Sequence, residues 1–165
     1  MPMSDALIAE LNQESVATRR MLERVPDDRL SWRPHEKSMS LGQLAQHIAT
    51  APGNIAEMAL LDEISMPSGG FPEAEDTASV LAAFDASLET AQAALAQLDD
   101  ASMERTWRVV ENGEEVLSMP RAALCRSLLL NHAYHHRGQL SVYLRLLDVP
   151  LPGVYGPSAD ENPFE

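Results

Sequence analysis

Four segments of the chain carry apolar residues at steps of three and four, a spacing typical of helices that bury one face. They span residues 4–25, 40–61, 77–98 and 118–147. Breaks rich in proline and glycine separate them. We found no internal repeat and no low-complexity stretch. The sequence therefore predicts an all-α four-helix bundle with long inter-helix connections, organised as a single domain over residues 1–165.

Local signals predict where the helices begin. Ser4 is the expected N-cap of the first helix. Ser40 and Gln43 form a capping-box pattern at the start of the second, in which each side chain bonds the other residue's backbone amide. Thr77 is expected to open the third helix. Pro120 is expected in the first turn of the fourth, where a missing N–H costs nothing.

Two dipeptides predict departures from regular helix. Pro52-Gly53 interrupts the second segment and predicts a kink or a local opening, because proline removes a backbone donor. Asn112-Gly113 lies between two short runs of strand-forming residues and predicts a small β-hairpin before the last helix.

The first segment has a gap in its apolar stripe. Glu14, Ser15 and Thr18 occupy positions where the pattern calls for apolar residues. Either these side chains face a wet cavity at mid-height, or the helix turns towards solvent there. The sequence leaves both interpretations open.

Charge and cysteine content exclude several classes of protein. The chain has 25 acidic residues against 12 Lys and Arg, for a net charge of −13, which would repel nucleic acid and anionic membranes. No apolar run approaches the roughly 18 residues that cross a bilayer. The start of the chain does not resemble a signal peptide. Cys125 is the single cysteine, so no internal disulfide can form. We expect a cytoplasmic protein.

His132 and His136 are four residues apart in the last helical segment. That spacing places them on one face with Cβ atoms roughly 5–6 Å apart, so both rings can reach one metal ion. The alternative is two unrelated surface histidines. His47 lies on the edge of the buried stripe of the second segment. A lone histidine there is usually a core residue, but two potential co-ligands on another helix favour a metal site.

Three stretches of the chain resemble the DinB family, also called YfiT-like, of metal-dependent enzymes. They are Leu30–Pro34 leading into Ser40–Ile48, Asn131–Gln139 with its His-Arg-Gly-Gln element, and Val154–Glu161 near the end. The resemblance spans nearly the whole chain. It implies a four-helix bundle that binds one divalent metal, nickel or zinc, through His47, His132 and His136. His135 falls outside that pattern, since its direction differs by about 100° from that of His136.

The resemblance also implies a reaction class and a partner. We expect a metal-dependent enzyme acting on a small molecule, of the thiol S-transferase or hydrolase type, with a low-molecular-weight thiol as the candidate co-substrate. The resemblance further implies a homodimer. One alternative is a non-catalytic, stress-associated dimer that binds metal. Another is that the histidines are structural. No residue can be assigned as a general base.

Each metal-binding histidine needs an acceptor for its other ring N–H. The candidates are Glu14, Gln43 and Asn131. Gln139 shares the face of the histidine pair, so it either contacts the site or packs beside it. Gly138 indicates close helix approach or, alternatively, room for a ligand. Cys125 lies about 10 Å from His132 by helical rise, too far to share its metal, and is expected to be a small buried hydrophobe.

Overall fold

A computed structural model describes residues 1–66 and 68–162. The α-helices are α1 (Met3–Leu22), α2 (Leu41–Met58), α3 (Thr77–Leu95), α4 (Asp100–Glu104), α5 (Arg121–Leu124) and α6 (His132–Leu146). A 3-10 turn spans Asp27–Arg29, and a π-helical segment, Cys125–Asn131, joins α5 to α6. The strands are β1 (Glu63–Ile64), β2 (Thr106–Glu111) and β3 (Glu114–Pro120). The chain is mainly helical, as predicted, and has a small sheet.

The capping box of α2 is confirmed. Ser40 Oγ accepts from the Gln43 amide at 3.0 Å, and Gln43 Oε1 accepts from the Ser40 amide at 3.0 Å. This exchange satisfies two backbone donors at the start of the helix that carries His47. The predicted start of α3 at Thr77 is also confirmed, with Asp76 as its N-cap.

Two predicted helix starts are wrong. Ser4 is not the N-cap of α1, because the helix already begins at Met3 and Ser4 is buried inside its first turn. The Met3 amide donates instead to Asp100 Oδ1 of α4 at 2.7 Å. Pro120 is not in the first turn of the last helical segment. It ends β3 and immediately precedes α5.

The Pro52-Gly53 pair does not interrupt α2, which continues as α-helix through both residues. The Gly53 amide donates to Ser87 Oγ of α3 at 2.8 Å. A Cβ atom at Gly53 would lie 3.0 Å from the Ser87 carbonyl oxygen. The glycine therefore allows α2 and α3 to approach closely.

The sheet has three strands in the order β1-β2-β3. Strands β2 and β3 pair antiparallel, and Asn112 and Gly113 between them have φ angles of 52° and 82°, as a two-residue hairpin turn requires. Strand β1 adds to β2 in parallel and was not predicted. The all-α prediction is therefore too simple, and the four-helix bundle stays a prediction.

Buried apolar side chains hold the histidine-bearing helices together. Leu44 and Ile48, on either side of His47 in α2, belong to the same apolar cluster as Leu140 and Leu144 of α6. Burial of each such side chain stabilises the fold by about 1.5–3 kcal/mol. This cluster fixes α2 against α6. Within the described residues, no helix is long and apolar enough to cross a membrane.

Candidate metal centre

The three predicted histidines meet between α2 and α6. His132 Nε2 lies 3.3 Å from His47 Nε2 and 2.9 Å from His136 Nε2. One ring nitrogen from each residue lies within 4.8 Å of the others, so the group can hold a metal ion. His136 is buried, whereas His47 and His132 are half-buried. The cluster therefore rests on the core and retains partial access to solvent.

The spacing of the ring nitrogens fits a shared ion. Two nitrogens bound at about 2.05 Å from one ion lie about 2.9 Å apart at a right angle and about 3.3 Å apart at a tetrahedral angle. The observed separations are 2.9 and 3.3 Å. Imidazole nitrogens are ligands that zinc and nickel accept readily. The donor set and these two separations are thus compatible with one shared metal ion.

Burial keeps these imidazoles neutral at physiological pH. It lowers the pKa of His47 from 6.5 to about 4, with a smaller contribution from the nearby His136. It lowers the pKa of His132 to about 4 as well, with smaller contributions from the other histidines. Burial also lowers the pKa of His136, against an opposing effect of its hydrogen bond to Gln139. A neutral ring offers a lone pair, which a metal requires.

The outer ring nitrogens of His132 and His136 are in different environments. His136 Nδ1 lies 2.7 Å from Gln139 Oε1, so the amide oxygen accepts from it. His132 Nδ1 is buried and has no hydrogen-bond partner among the described residues. Because an unpaired buried N–H is costly, the proton of His132 belongs on Nε2, from which it is donated to His136. A metal bound there would displace that proton.

The acceptors proposed from the sequence have other partners. Glu14 bonds Arg137 and Tyr155. Gln43 caps α2 and donates to the Phe71 carbonyl at 3.1 Å. Asn131 is exposed. The acceptor that the structure shows on the histidines is Gln139, for which the sequence left contact or packing open.

The remaining candidates lie outside the cluster. His135 is exposed and, although its ring lies 4.9 Å from that of His136, it does not join the metal-binding group. Cys125 is fully buried among apolar side chains, and burial raises its pKa to about 11. Gly138 is exposed, and a Cβ there would meet nothing within 4 Å, so close packing within the chain does not explain it.

Sequence analysis missed Phe71, whose ring lies 5.0 Å from that of His47 in an edge-to-face contact. Phe71 is 47% exposed, and the side-chain amide of Gln43 donates a hydrogen bond to its backbone carbonyl. Phe71 thus forms an apolar wall beside His47. Its only signal in the sequence is an aromatic residue in a Pro- and Gly-rich connection.

Sequence analysis also missed the Arg137 cluster, formed by Glu14, Thr18, Arg137 and Tyr155. Arg137 follows His136 directly, but its buried guanidinium points towards α1, where it donates to Glu14 Oε2 at 2.7 Å and to Thr18 Oγ1 at 3.2 Å. Tyr155 both accepts from Arg137 and donates to Glu14. This cluster ties α6 to α1 and to the C-terminal segment.

The Arg137 cluster accounts for much of the gap in the apolar stripe of α1. Glu14 and Thr18 face Arg137, and together with Ser15 they line a cavity of about 20 Å³. That volume accommodates about one water molecule. Of the two interpretations, the interior one is correct here, because Thr18 is buried and Glu14 is largely so.

Comparison with known proteins identifies the family. The DinB family model matches residues 1–163, almost the whole chain. The chain belongs to the DinB family. Among its relatives are two Bacillus subtilis (strain 168) proteins that carry the names uncharacterized protein YrdA and uncharacterized protein YjoA. YrdA is 28% identical over 149 residues, covering 90% of this chain and 85% of YrdA. YjoA is 29% identical over 146 residues, covering 88% of this chain and 91% of YjoA.

Solved structures support the fold of this DinB-family chain. A DinB-like protein from Bacillus cereus ATCC 10987 superposes with a TM-score of 0.71 at 24% identity, covering 92% of this chain and 97% of that one. The crystal structure of YjoA from Bacillus subtilis gives a TM-score of 0.69 at 22% identity, with 90% and 96% covered. At these identities the likeness establishes the fold alone.

Proposed function

We propose that this protein binds one divalent metal, nickel or zinc, through His47, His132 and His136, and that it is a metal-dependent enzyme acting on a small molecule. The convergence of three ring nitrogens at 2.9 and 3.3 Å carries the proposal. Family membership and the low pKa values of His47 and His132 support it. The four-helix bundle predicted from the sequence is the scaffold that would present these side chains from two of its helices.

Thiol transfer and hydrolysis are the reaction classes that fit such a site. A metal held by three imidazoles retains at least one open coordination position and supplies Lewis-acid chemistry towards a water or a thiolate. Two features of the chain would shape the ligand. His47 and His132 remain half-exposed, so a small molecule can approach, and Phe71 offers an apolar wall for its organic part.

A non-catalytic metal-binding dimer is the second candidate. Val142 and Leu146 lie one turn apart on α6 and are each 58% exposed. One turn earlier, Gly138 leaves open space on its surface. An exposed apolar face with a glycine suits close contact with a second copy of the chain. We therefore keep the homodimer as a proposal, which light scattering of wild type beside Val142→Glu tests directly.

Metal content is the first test of the proposed function. The protein is stripped with a chelator, reloaded with Zn²⁺ or Ni²⁺, desalted, and analysed for metal by mass spectrometry. Wild type should retain about one ion per chain, and His132→Ala should retain almost none. His135→Ala is the matched control, because it removes the neighbouring exposed histidine and should leave the metal content unchanged.

Each outcome separates the candidates. Absence of metal from wild type after loading with either ion overturns the proposal. Undiminished metal content in His132→Ala means that the metal binds elsewhere and also overturns the proposal. If the loaded protein binds one ion, thiol-transfer and ester-hydrolysis substrates are then assayed. Turnover that disappears with the metal supports the enzyme, whereas an inactive metal-loaded dimer supports the second candidate.

A further inference from the structure

Gln139 contacts the candidate metal centre from outside its ring of ligands. It lies three residues after His136 on α6, and its Oε1 is 2.7 Å from His136 Nδ1. An amide oxygen can only accept a hydrogen bond, so Nδ1 carries the proton. The other nitrogen, Nε2, then presents its lone pair towards His132, whose Nε2 is 2.9 Å away.

We propose that Gln139 is a positioning residue that fixes the tautomer and ring orientation of His136 for metal binding; this inference rests on the proposed metal-binding function. A neutral imidazole exchanges its proton freely between its two nitrogens unless one of them has a fixed acceptor. Gln139 supplies that acceptor from the same helix, so the bond survives small movements between helices.

The contrast with His132 shows what this bond adds. No described residue accepts a hydrogen bond from His132 Nδ1. His132 therefore favours the opposite tautomer in the metal-free protein, with its proton directed at His136 Nε2. Of these two histidines on α6, His136 is the one held in the metal-binding form before any ion arrives. Gln139 is responsible for that difference.

Because Gln139 is exposed, its role in positioning His136 can be tested separately from any role in packing the core. The residue is exposed and lies outside the apolar core. Its replacement should therefore leave the fold intact while changing the surroundings of His136. Gln139→Leu removes the acceptor, and Gln139→Glu keeps one. Gln13→Leu, at an exposed glutamine of α1 outside the site, is the matched control.

Nuclear magnetic resonance tests the tautomer in the metal-free protein. Long-range ¹H–¹⁵N spectra should show His136 protonated at Nδ1 in wild type, in Gln139→Glu and in Gln13→Leu. Gln139→Leu should show a mixture of tautomers or protonation at Nε2. Protonation of His136 at Nε2 in wild type would overturn the inference, and so would an unchanged tautomer in Gln139→Leu. This readout does not depend on bound metal.

Chelator competition with Zn²⁺ tests the consequence. Loss of a hydrogen-bond partner behind a metal-binding histidine typically weakens affinity about 10- to 100-fold, so Gln139→Leu should fall in that range. Gln139→Glu and Gln13→Leu should bind like wild type. If wild type binds no Zn²⁺, the proposed function fails, whatever the tautomer. If wild type and Gln139→Leu bind equally well, the metal site stands and the positioning role of Gln139 is wrong.

Discussion

Removal of the Glu14 carboxylate should destabilise the protein far more than the loss of an exposed ion pair. The Arg137 side chain is 4% exposed and that of Glu14 is 13% exposed, and they bond at 2.7 Å. Breaking a buried pair by removing one partner typically costs 3–5 kcal/mol, because the remaining charge is left uncompensated. In Glu14→Ala, Arg137 keeps the Glu14 carbonyl, Thr18 and Tyr155 as neutral partners. We therefore expect a loss near the lower limit, about 3 kcal/mol.

Urea unfolding of the metal-free protein measures this loss. The matched control is Asp85→Ala, which breaks the pair between Asp85 and Arg19, whose side chains are 55% and 40% exposed. An exposed pair contributes about 0–1 kcal/mol. At about 2–4 °C per kcal/mol for a chain of this size, Glu14→Ala should lower Tm by roughly 6–12 °C. If both variants lose the same free energy of unfolding, the guanidinium of Arg137 is solvated and the buried cluster does not anchor α6.

Three further predictions concern backbone space, pH and the thiol. Gly53→Ala should lower the free energy of unfolding, measured in urea, by about 1–3 kcal/mol, because its Cβ would press on the backbone of α3. Gly138→Ala has open space around its Cβ and should raise the free energy of unfolding of a monomer by about 0.5–1 kcal/mol. The free energy of unfolding of the metal-free protein should fall as pH drops from about 6.5 to about 4. The reason is that His47 and His132 have pKa values of about 4 in the folded protein, so their imidazoles take up protons in the unfolded chain first. Replacement of either histidine should make the free energy of unfolding depend less on pH. Cys125 should resist iodoacetamide until the protein unfolds, because burial raises its pKa to about 11.

Local and distant interactions differed in how far the sequence could predict them. Helix geometry alone places His132 and His136 on one face, and the cap at Ser40 acts within four residues. The ends of helices with no local cap were harder, as at Met3, whose amide bonds Asp100 far along the chain. Strand β1 spans two residues and pairs with a strand more than 40 positions away, so no periodic signal marked it.

The same limit explains why the Arg137 cluster was missed. Arg137 lies inside the motif that carries the family resemblance, yet its partners Glu14 and Tyr155 are 123 and 18 residues away. From the sequence, Glu14 was a candidate partner for a histidine. In the structure Glu14 instead bonds Arg137, the residue that follows His136 in α6. Charge pairing in a folded core depends on which helix packs against which, and the apolar pattern does not determine that.

The π-helical segment explains one further difference and bears on how the site is built. An uninterrupted α-helix would place Cys125 and His132, seven residues apart, on one face. Between them, Cys125–Asn131 adopts the wider π turn, which advances less per residue. The buried positions there are Leu129 and Leu130, whereas Leu128 and Asn131 are exposed.

The π turn therefore lets two parts of one continuous helical segment bury different faces. The part before it packs Leu124 and Cys125 into the cluster that contains Trp107 of β2. The part after it packs Leu140 and Leu144 against α2. A regular α-helix over residues 121–146 would keep one buried face along its whole length, so its second half could not bury a different face. Beyond this change of phase, the rings of His132 and His136 lie 5.0 and 4.6 Å from that of His47, while Leu124 and Cys125 stay packed at the sheet end of the core.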